Sequence, residues 1–109
     1  MSQLNLPAPI AVYFAAEKHG GDAVVRCFTQ EGVVADEGKT HRGPVAIKAW
    51  TTAASTKYSY TNEPLAIENQ HGRHIVTSRV VGNFPGSPVE LRYIFTLESG
   101  KIASLEIVP

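Results

Sequence analysis

Residues 28–50 read FTQEGVVADEGKTHRGPVAIKAW: the end of a helix, a strand, a tight turn, a short returning strand and the start of another helix. Side chains alternate along a strand, so Val34 and Asp36 share one face. With Glu37-Gly38 as a two-residue turn, Asp36 falls opposite Lys39 and Val34 opposite His41. Directly opposed residues point the same way, which aims Asp36 and His41 into one space. Gly43-Pro44 then opens a helix, with Pro44 at the first helical position, where its missing N–H costs nothing.

The surroundings of this stretch fix the class of protein. A chain of 109 residues is one domain with room for one core. Hydrophobic residues make up 43% and charged residues 18%, which excludes a disordered or fibrous chain. Ten basic and ten acidic side chains cancel, and no Lys/Arg cluster stands out. Nucleic acid and anionic membrane are therefore not expected as partners. Cys27 has no second cysteine to pair with and lies in a helical pattern, so it reads as an apolar filler rather than a reactive thiol. The opening MSQLNLPAPI lacks a basic region and a long apolar run, so no signal peptide is expected. No segment approaches the ~20 apolar residues of a membrane helix, and a cytoplasmic location is the default.

Helices come first along the chain. Residues 7–19, PAPIAVYFAAEKH, begin with prolines and carry Ile10, Tyr13, Phe14 and Glu17 at spacings of three and four. Gly20-Gly21 ends that helix, and Asp22 reads as the N-cap of a short second one, DAVVRCFT, whose Val24, Val25 and Phe28 face inward. The third, from about Pro44 to Ser55, places Ile47, Trp50 and Ala54 on its inner stripe. From Lys57 the pattern turns to strands. Tyr58 and Tyr60 share a face, and Pro64 breaks the strand or confines it to an edge before Leu65-Ala-Ile67. A turn at Gln70–Gly72 leads to a long strand, His74–Val81. GNFPGSP, residues 82–88, is a loop, and Val89–Glu98 and Ile102–Val108 form a last hairpin. In that hairpin a type I turn at Glu98-Ser99 with Gly100 as a bulge sets Leu97 opposite Lys101, Phe95 opposite Ala103, Tyr93 opposite Leu105 and Arg92 opposite Glu106. That register yields one wholly apolar face, and the expected architecture is α+β, with helices covering one face of a curved sheet.

The string YFAA…GD…CF..EGVV.DEG..HRGP.AIKAW…SGKI resembles the nuclear transport factor 2-like superfamily, and within it the small bacterial SnoaL-like polyketide cyclases and ketosteroid isomerases. The resemblance covers nearly the whole chain. Its motifs are Gly21-Asp22, the Arg42-Gly43…Ile47 helix start and Gly100-Lys101-Ile102. It implies a single SnoaL-like domain over residues 1–109, shaped as a cone: a bent antiparallel sheet wrapped around three N-terminal helices with a pocket at the open end. Isomerases of this family use an aspartate base at the end of the first strand, which matches Asp36. They stabilise an enolate with a first-helix tyrosine and a protonated aspartate. Tyr13 matches the tyrosine if one residue of slack is allowed, and Phe14 if none is. The second acid is absent, its place taken by Tyr93 in the bulged register or by Arg92 without a gap.

Chemistry narrows the candidates. In an apolar pocket a carboxylate such as Asp36 becomes a usable base, the competing reading being a turn aspartate paired with Lys39. His41 would orient Asp36, share its proton or donate to substrate, or else be an exposed strand-end histidine. Tyr13 and Tyr93 are candidate donors, or buried tyrosines with satisfied hydroxyls. Phe14, Phe28, Trp50, Tyr58, Tyr60 and Phe95 are read as substrate-binding wall and core together. His71 and His74 lack partners at metal-ligand spacing, so neither a metal nor a cofactor is expected. Arg79 stays open, since the strand register alone does not tell which face it takes.

Two functions follow. One is a cofactor-independent isomerase, cyclase or dehydratase acting on an apolar carbonyl compound with Asp36 as base. The other is a non-catalytic small-molecule-binding domain of the same fold. In either case Ile94 and Thr96, joined by Val76 and Val80 or by Ile75 and Val81, make the outer sheet face apolar enough to be covered in a homodimer.

Overall fold

The computed structural model describes residues 4–109. Met1-Ser2-Gln3, part of the stretch read above as free of a targeting signal, lies outside them. Helix α1 (Ala8–Ala16) is started by Pro7 and Pro9, with Ile10 N–H donating to the Pro7 carbonyl at 3.0 Å. It tightens into a 3-10 turn, Glu17–His19, and is stopped by Gly20, whose φ of 93° suits glycine. Helix α2 is only Gly21–Val25. Asp22 does not cap it: Gly20 holds that position, and the Asp22 carboxylate pairs instead with Lys48 Nζ at 3.0 Å on the surface.

Strand β1 (Phe28–Asp36) starts where the second helix was expected to continue. It turns through Glu37-Gly38, both at positive φ, into β2 (Lys39–Arg42). The register is the one read from the sequence, with Val34 facing His41 and Asp36 facing Lys39. Helix α3 (Gly43–Lys57) carries Pro44 in its first turn. The next two strands, β3 (Tyr60–Gln70) and β4 (Arg73–Gly82), join through His71-Gly72. Pro64 does not end β3. It is tolerated because β3 is the sheet's edge strand and is bulged between Pro64 and Ala66. Strands β5 (Val89–Glu98) and β6 (Lys101–Val108) complete the sheet, ordered β2-β1-β6-β5-β4-β3. The sheet is curved and open, and four of its five strand pairings are antiparallel. The exception is β1 on β6, which run parallel and so bring the first strand beside the last.

The final hairpin departs from the expected register. Its turn is Ser99-Gly100, both at positive φ, with Glu98 opposite Lys101. The extra residue lies further along, where Leu97 faces Ile102 but Thr96 faces Ser104, leaving Ala103 unpaired. From there Phe95 faces Leu105 and Tyr93 faces Ile107, and Arg92 meets Val108 rather than Glu106. The reason is the one that favoured a bulge at the outset: without an extra residue the apolar faces would not match. Ile102, Leu105 and Ile107 thereby all turn inward.

Beneath the helices, the core centres on Ile10, Tyr13, Phe95, Ile47, Ile102 and Leu105, each under 2% exposed. Tyr13 meets the Phe14 and Phe95 rings edge-on at 5.3 and 5.6 Å, and Tyr93 stacks on Phe95 at 6.4 Å. Val76 and Val80 belong to this inner side, so the outer face takes Ile75, opposite Ile94, together with Val81. Arg79 also faces outward, between Glu63 of β3 and Glu90 of β5. Among the described residues no helix is long and apolar enough to cross a membrane.

Candidate functional site

Asp36 ends β1 beside Ile107 of β6, on the inner face of the sheet. Helix α3 lays Trp50 across it, and the indole Nε1–H donates to Asp36 Oδ2 at 3.0 Å. No ion pair involves Asp36 among the described residues. This pair forms part of the wall of a cavity of about 460 Å³ between α3 and the sheet. Tyr58 and Tyr60, Leu91 and Tyr93 of β5, and Phe84 and Pro85 of the 82–88 loop line it as well. That loop is tied to the strand beneath it, since Asn83 Oδ1 accepts from Ser59 N–H at 2.9 Å while Asn83 N–H donates to the Ser59 carbonyl at 3.1 Å. Gly82 permits the approach: a Cβ there would come within 2.3 Å of the Ser59 oxygen.

A second carboxyl lines the same cavity. Glu17 projects from the turn that ends α1, one helical step beyond Tyr13. Tyr13 O–H donates to its Oε2 at 3.1 Å, and Asn62 Nδ2 donates to its Oε1 at 3.1 Å. The other Asn62 N–H reaches the Tyr93 oxygen at 2.9 Å, and Asn62 Oδ1 accepts from the fully buried Ser78 hydroxyl. Asn62 is thereby spent on three partners and fixes Glu17 relative to Tyr93. Burial pushes the Glu17 carboxyl up to about 7, although both hydrogen bonds pull the other way. Burial likewise raises Tyr60 to about 12, and the charges of Glu17 and Asp36 add to it. Tyr93 is raised by burial first, then by Glu17, with a smaller push from Asp36. Both carboxyls therefore act on the same two hydroxyls.

The sequence was compared with known proteins. A scan of family models finds no match, and no curated protein matches either. Among solved structures, a Sinorhizobium meliloti protein with a provisional polyketide cyclase assignment is 42% identical, covering 98% of this chain and 99% of its own, at a TM-score of 0.91. The chain belongs to the nuclear transport factor 2-like superfamily. More distant members share the fold. A Catenulispora acidiphila protein with a ketosteroid isomerase-like fold, in complex with trimethylamine, is 15% identical, covering 96% of this chain and 87% of its own, at a TM-score of 0.83. The epoxide hydrolase/cyclase-like enzyme of pyran ring formation in salinomycin is 21% identical, with coverages of 93% and 87% and a TM-score of 0.77.

Within this superfamily frame the expected site residues divide in two. Asp36, Trp50, Tyr58, Tyr60 and Tyr93 meet at the cavity. Phe28 and Phe95 do not line it: they pack in the core, as 4% and 0% exposure show. Phe14 is also core and edges a neighbouring hollow beside Glu17. Tyr13 is wholly buried behind Glu17, its hydroxyl given to that carboxyl, so it does not sit on the cavity wall. His41 occupies a second, outer hollow that shares Asp36 and Trp50 with the cavity, its ring 6.1 Å from the Trp50 ring. Asp36 is hydrogen-bonded by Trp50 rather than by His41. Sequence reading missed Glu17, Asn62 and the Phe84-Pro85 contribution to the cavity lining. Only Glu17 left a trace, as an acid on the apolar stripe of α1, four residues after Tyr13. No cluster of three metal-ligating side chains occurs among the described residues.

Proposed function

We propose that this protein is a small cofactor-independent enzyme that moves a proton beside a carbonyl group of an apolar small molecule, with Asp36 as general base. One observation carries the reading: the Asp36 carboxylate lines an apolar cavity with one neutral donor, Trp50, and no cationic partner among the described residues. A base in that setting has no charge partner to displace before it can accept a proton. The described cavity wall holds Glu17, Asp36 and Glu37 but no Lys, Arg or His, which favours a neutral substrate over an anionic one. Isomerisation, cyclisation and dehydration all begin with such a proton abstraction. The cyclase assignment of the 42% identical neighbour supports this class of chemistry. A homodimer through the outer sheet face, where Ile75 opposes Ile94, belongs to the same proposal.

The test uses 2-tetralone, a flat apolar ketone with acidic α hydrogens, in deuterated buffer. Loss of its α-proton resonance reports abstraction directly. Wild-type protein is expected to accelerate exchange over buffer, and Asp36→Asn to lose about 100-fold or more while keeping its thermal stability. Exchange that survives Asp36→Asn refutes the assignment. A second reading, a non-catalytic binding domain, draws on the engagement of Asp36 Oδ2 by Trp50, which makes the pair a fixed wall element. It predicts 2-tetralone binding that ignores Asp36→Asn but weakens in Trp50→Ala.

A further inference from the structure

A cavity that holds one base leaves the other half of enolisation unprovided. Removing a proton from the carbon beside a carbonyl sends the electron pair toward the oxygen, and an oxygen left bare in an apolar cavity is costly. Glu17 lines the same cavity as Asp36 and Trp50 and has no part in the abstraction step itself.

We propose that Glu17 is a second catalytic residue of this cavity, the acid that protonates the substrate's carbonyl oxygen while Asp36 takes the proton from the adjacent carbon. This rests on the Asp36 reading. In the step, the C–H bond breaks and its proton goes to Asp36. The C–H pair forms the C=C bond, the carbonyl π pair moves to oxygen, and a new O–H bond forms with the proton of Glu17. The enol, protonated Asp36 and ionised Glu17 result. Return of a proton from Asp36 to carbon, and of the enol proton to Glu17, restores both groups, so no outside reactant is needed.

Three features of the geometry support this role. Donors hold both Glu17 oxygens, Tyr13 at Oε2 and Asn62 at Oε1, each at 3.1 Å, and these stabilise the carboxylate that the step creates. Those bonds use one lone pair on each oxygen and leave another to carry the proton. Beside it, Tyr93 accepts from Asn62 and so keeps its own O–H free for the same substrate oxygen. The titratable groups around Glu17 are Tyr13 of α1, Tyr58 after α3, Tyr60 of β3 and Tyr93 of β5, with Asp36 and Glu37 at the end of β1 on the same cavity wall and Lys18 lining the adjoining hollow. No ion pair involves Glu17 among the described residues. Desolvation keeps the acid loaded up to about pH 7.

The experiment is 2-tetralone exchange as a function of pH in wild type, Asp36→Asn, Glu17→Gln and Glu17→Asp, each corrected for buffer. Wild type is expected to lose rate as the pH rises through about 7. Glu17→Gln should be slower at pH 6 by about 10- to 100-fold and should lack that fall. Glu17→Asp, which keeps a carboxyl, should keep a fall while losing rate. A Glu17→Gln profile that tracks wild type, with Asp36→Asn inactive, overturns this inference alone. Wild-type protein that exchanges no faster than buffer overturns the Asp36 reading and this one with it. Glu17→Gln protein that fails to fold leaves the decision to Glu17→Asp, where loss of the fall overturns the inference.

Discussion

Glu17→Gln should make the protein more stable in mild alkali than the natural sequence. Burial raises this carboxyl from 4.5 to about 7. The folded chain holds the proton more tightly than the unfolded chain, so the associated stability is complete below pH 4.5 and is lost as the pH climbs through about 7. At about 1.4 kcal/mol for each pH unit, the difference comes to about 3 kcal/mol, and residual water contact at Glu17 brings it nearer about 2. Glutamine has nearly the same shape and cannot ionise, so this loss is absent from the variant. Urea unfolding of both proteins at pH 5 and pH 8.5 measures it, and the gap between their midpoints should widen by about 1 M. Comparing the two proteins cancels the four histidines, which titrate in both. A gap of equal size at both pH values would show that Glu17 is not desolvated as its hydrogen-bonded position implies.

The remaining expectations are simpler. Asp36→Asn removes the base and should abolish 2-tetralone exchange with little change in urea midpoint, because asparagine still accepts from Trp50. Gly82→Ala drives a methyl within 2.3 Å of the Ser59 carbonyl, so it should cost about 1–3 kcal/mol in urea unfolding, and an unchanged midpoint contradicts the close approach. Ile94→Glu places a charge in the centre of the outer sheet face. If that face pairs two copies, light scattering should find wild type dimeric and the variant monomeric, whereas a monomeric wild type removes the dimer.

Much of the fold was legible because its signals are local. Glu37-Gly38 between alternating residues fixed the β1–β2 register, and with it the position of Asp36. Prolines at the heads of α1 and α3 marked both helix starts. What escaped depends on partners distant in sequence. The parallel contact of β1 with β6 has no turn to announce it. The bulge at Ala103 was sensed as a need for one extra residue but assigned to the hairpin tip, since Gly100 offered a local reason. The site shows the same division. Asp36 and Trp50 lie in one continuous stretch that could be read as a unit, whereas Glu17, Asn62 and Ser78 meet only when α1, β3 and β4 converge. Phe28 and Phe95 were placed at the pocket because an aromatic stripe looks alike whether it lines a cavity or fills a core.

Ala103 also works as a phase shifter in the final hairpin. The two arms obey one count of residues at the tip and another beside the cavity, so the choice of turn is uncoupled from the choice of wall. Paired additions or losses at Ser99-Gly100 leave Tyr93 and Ile107 where they are, whereas pairing Ala103 opposite Thr96, with no residue left out of the ladder, would turn Leu105 and Ile107 out of the interior together. The tip of this hairpin is therefore free to vary in sequence, because the offset it would otherwise impose on the cavity wall is absorbed behind it.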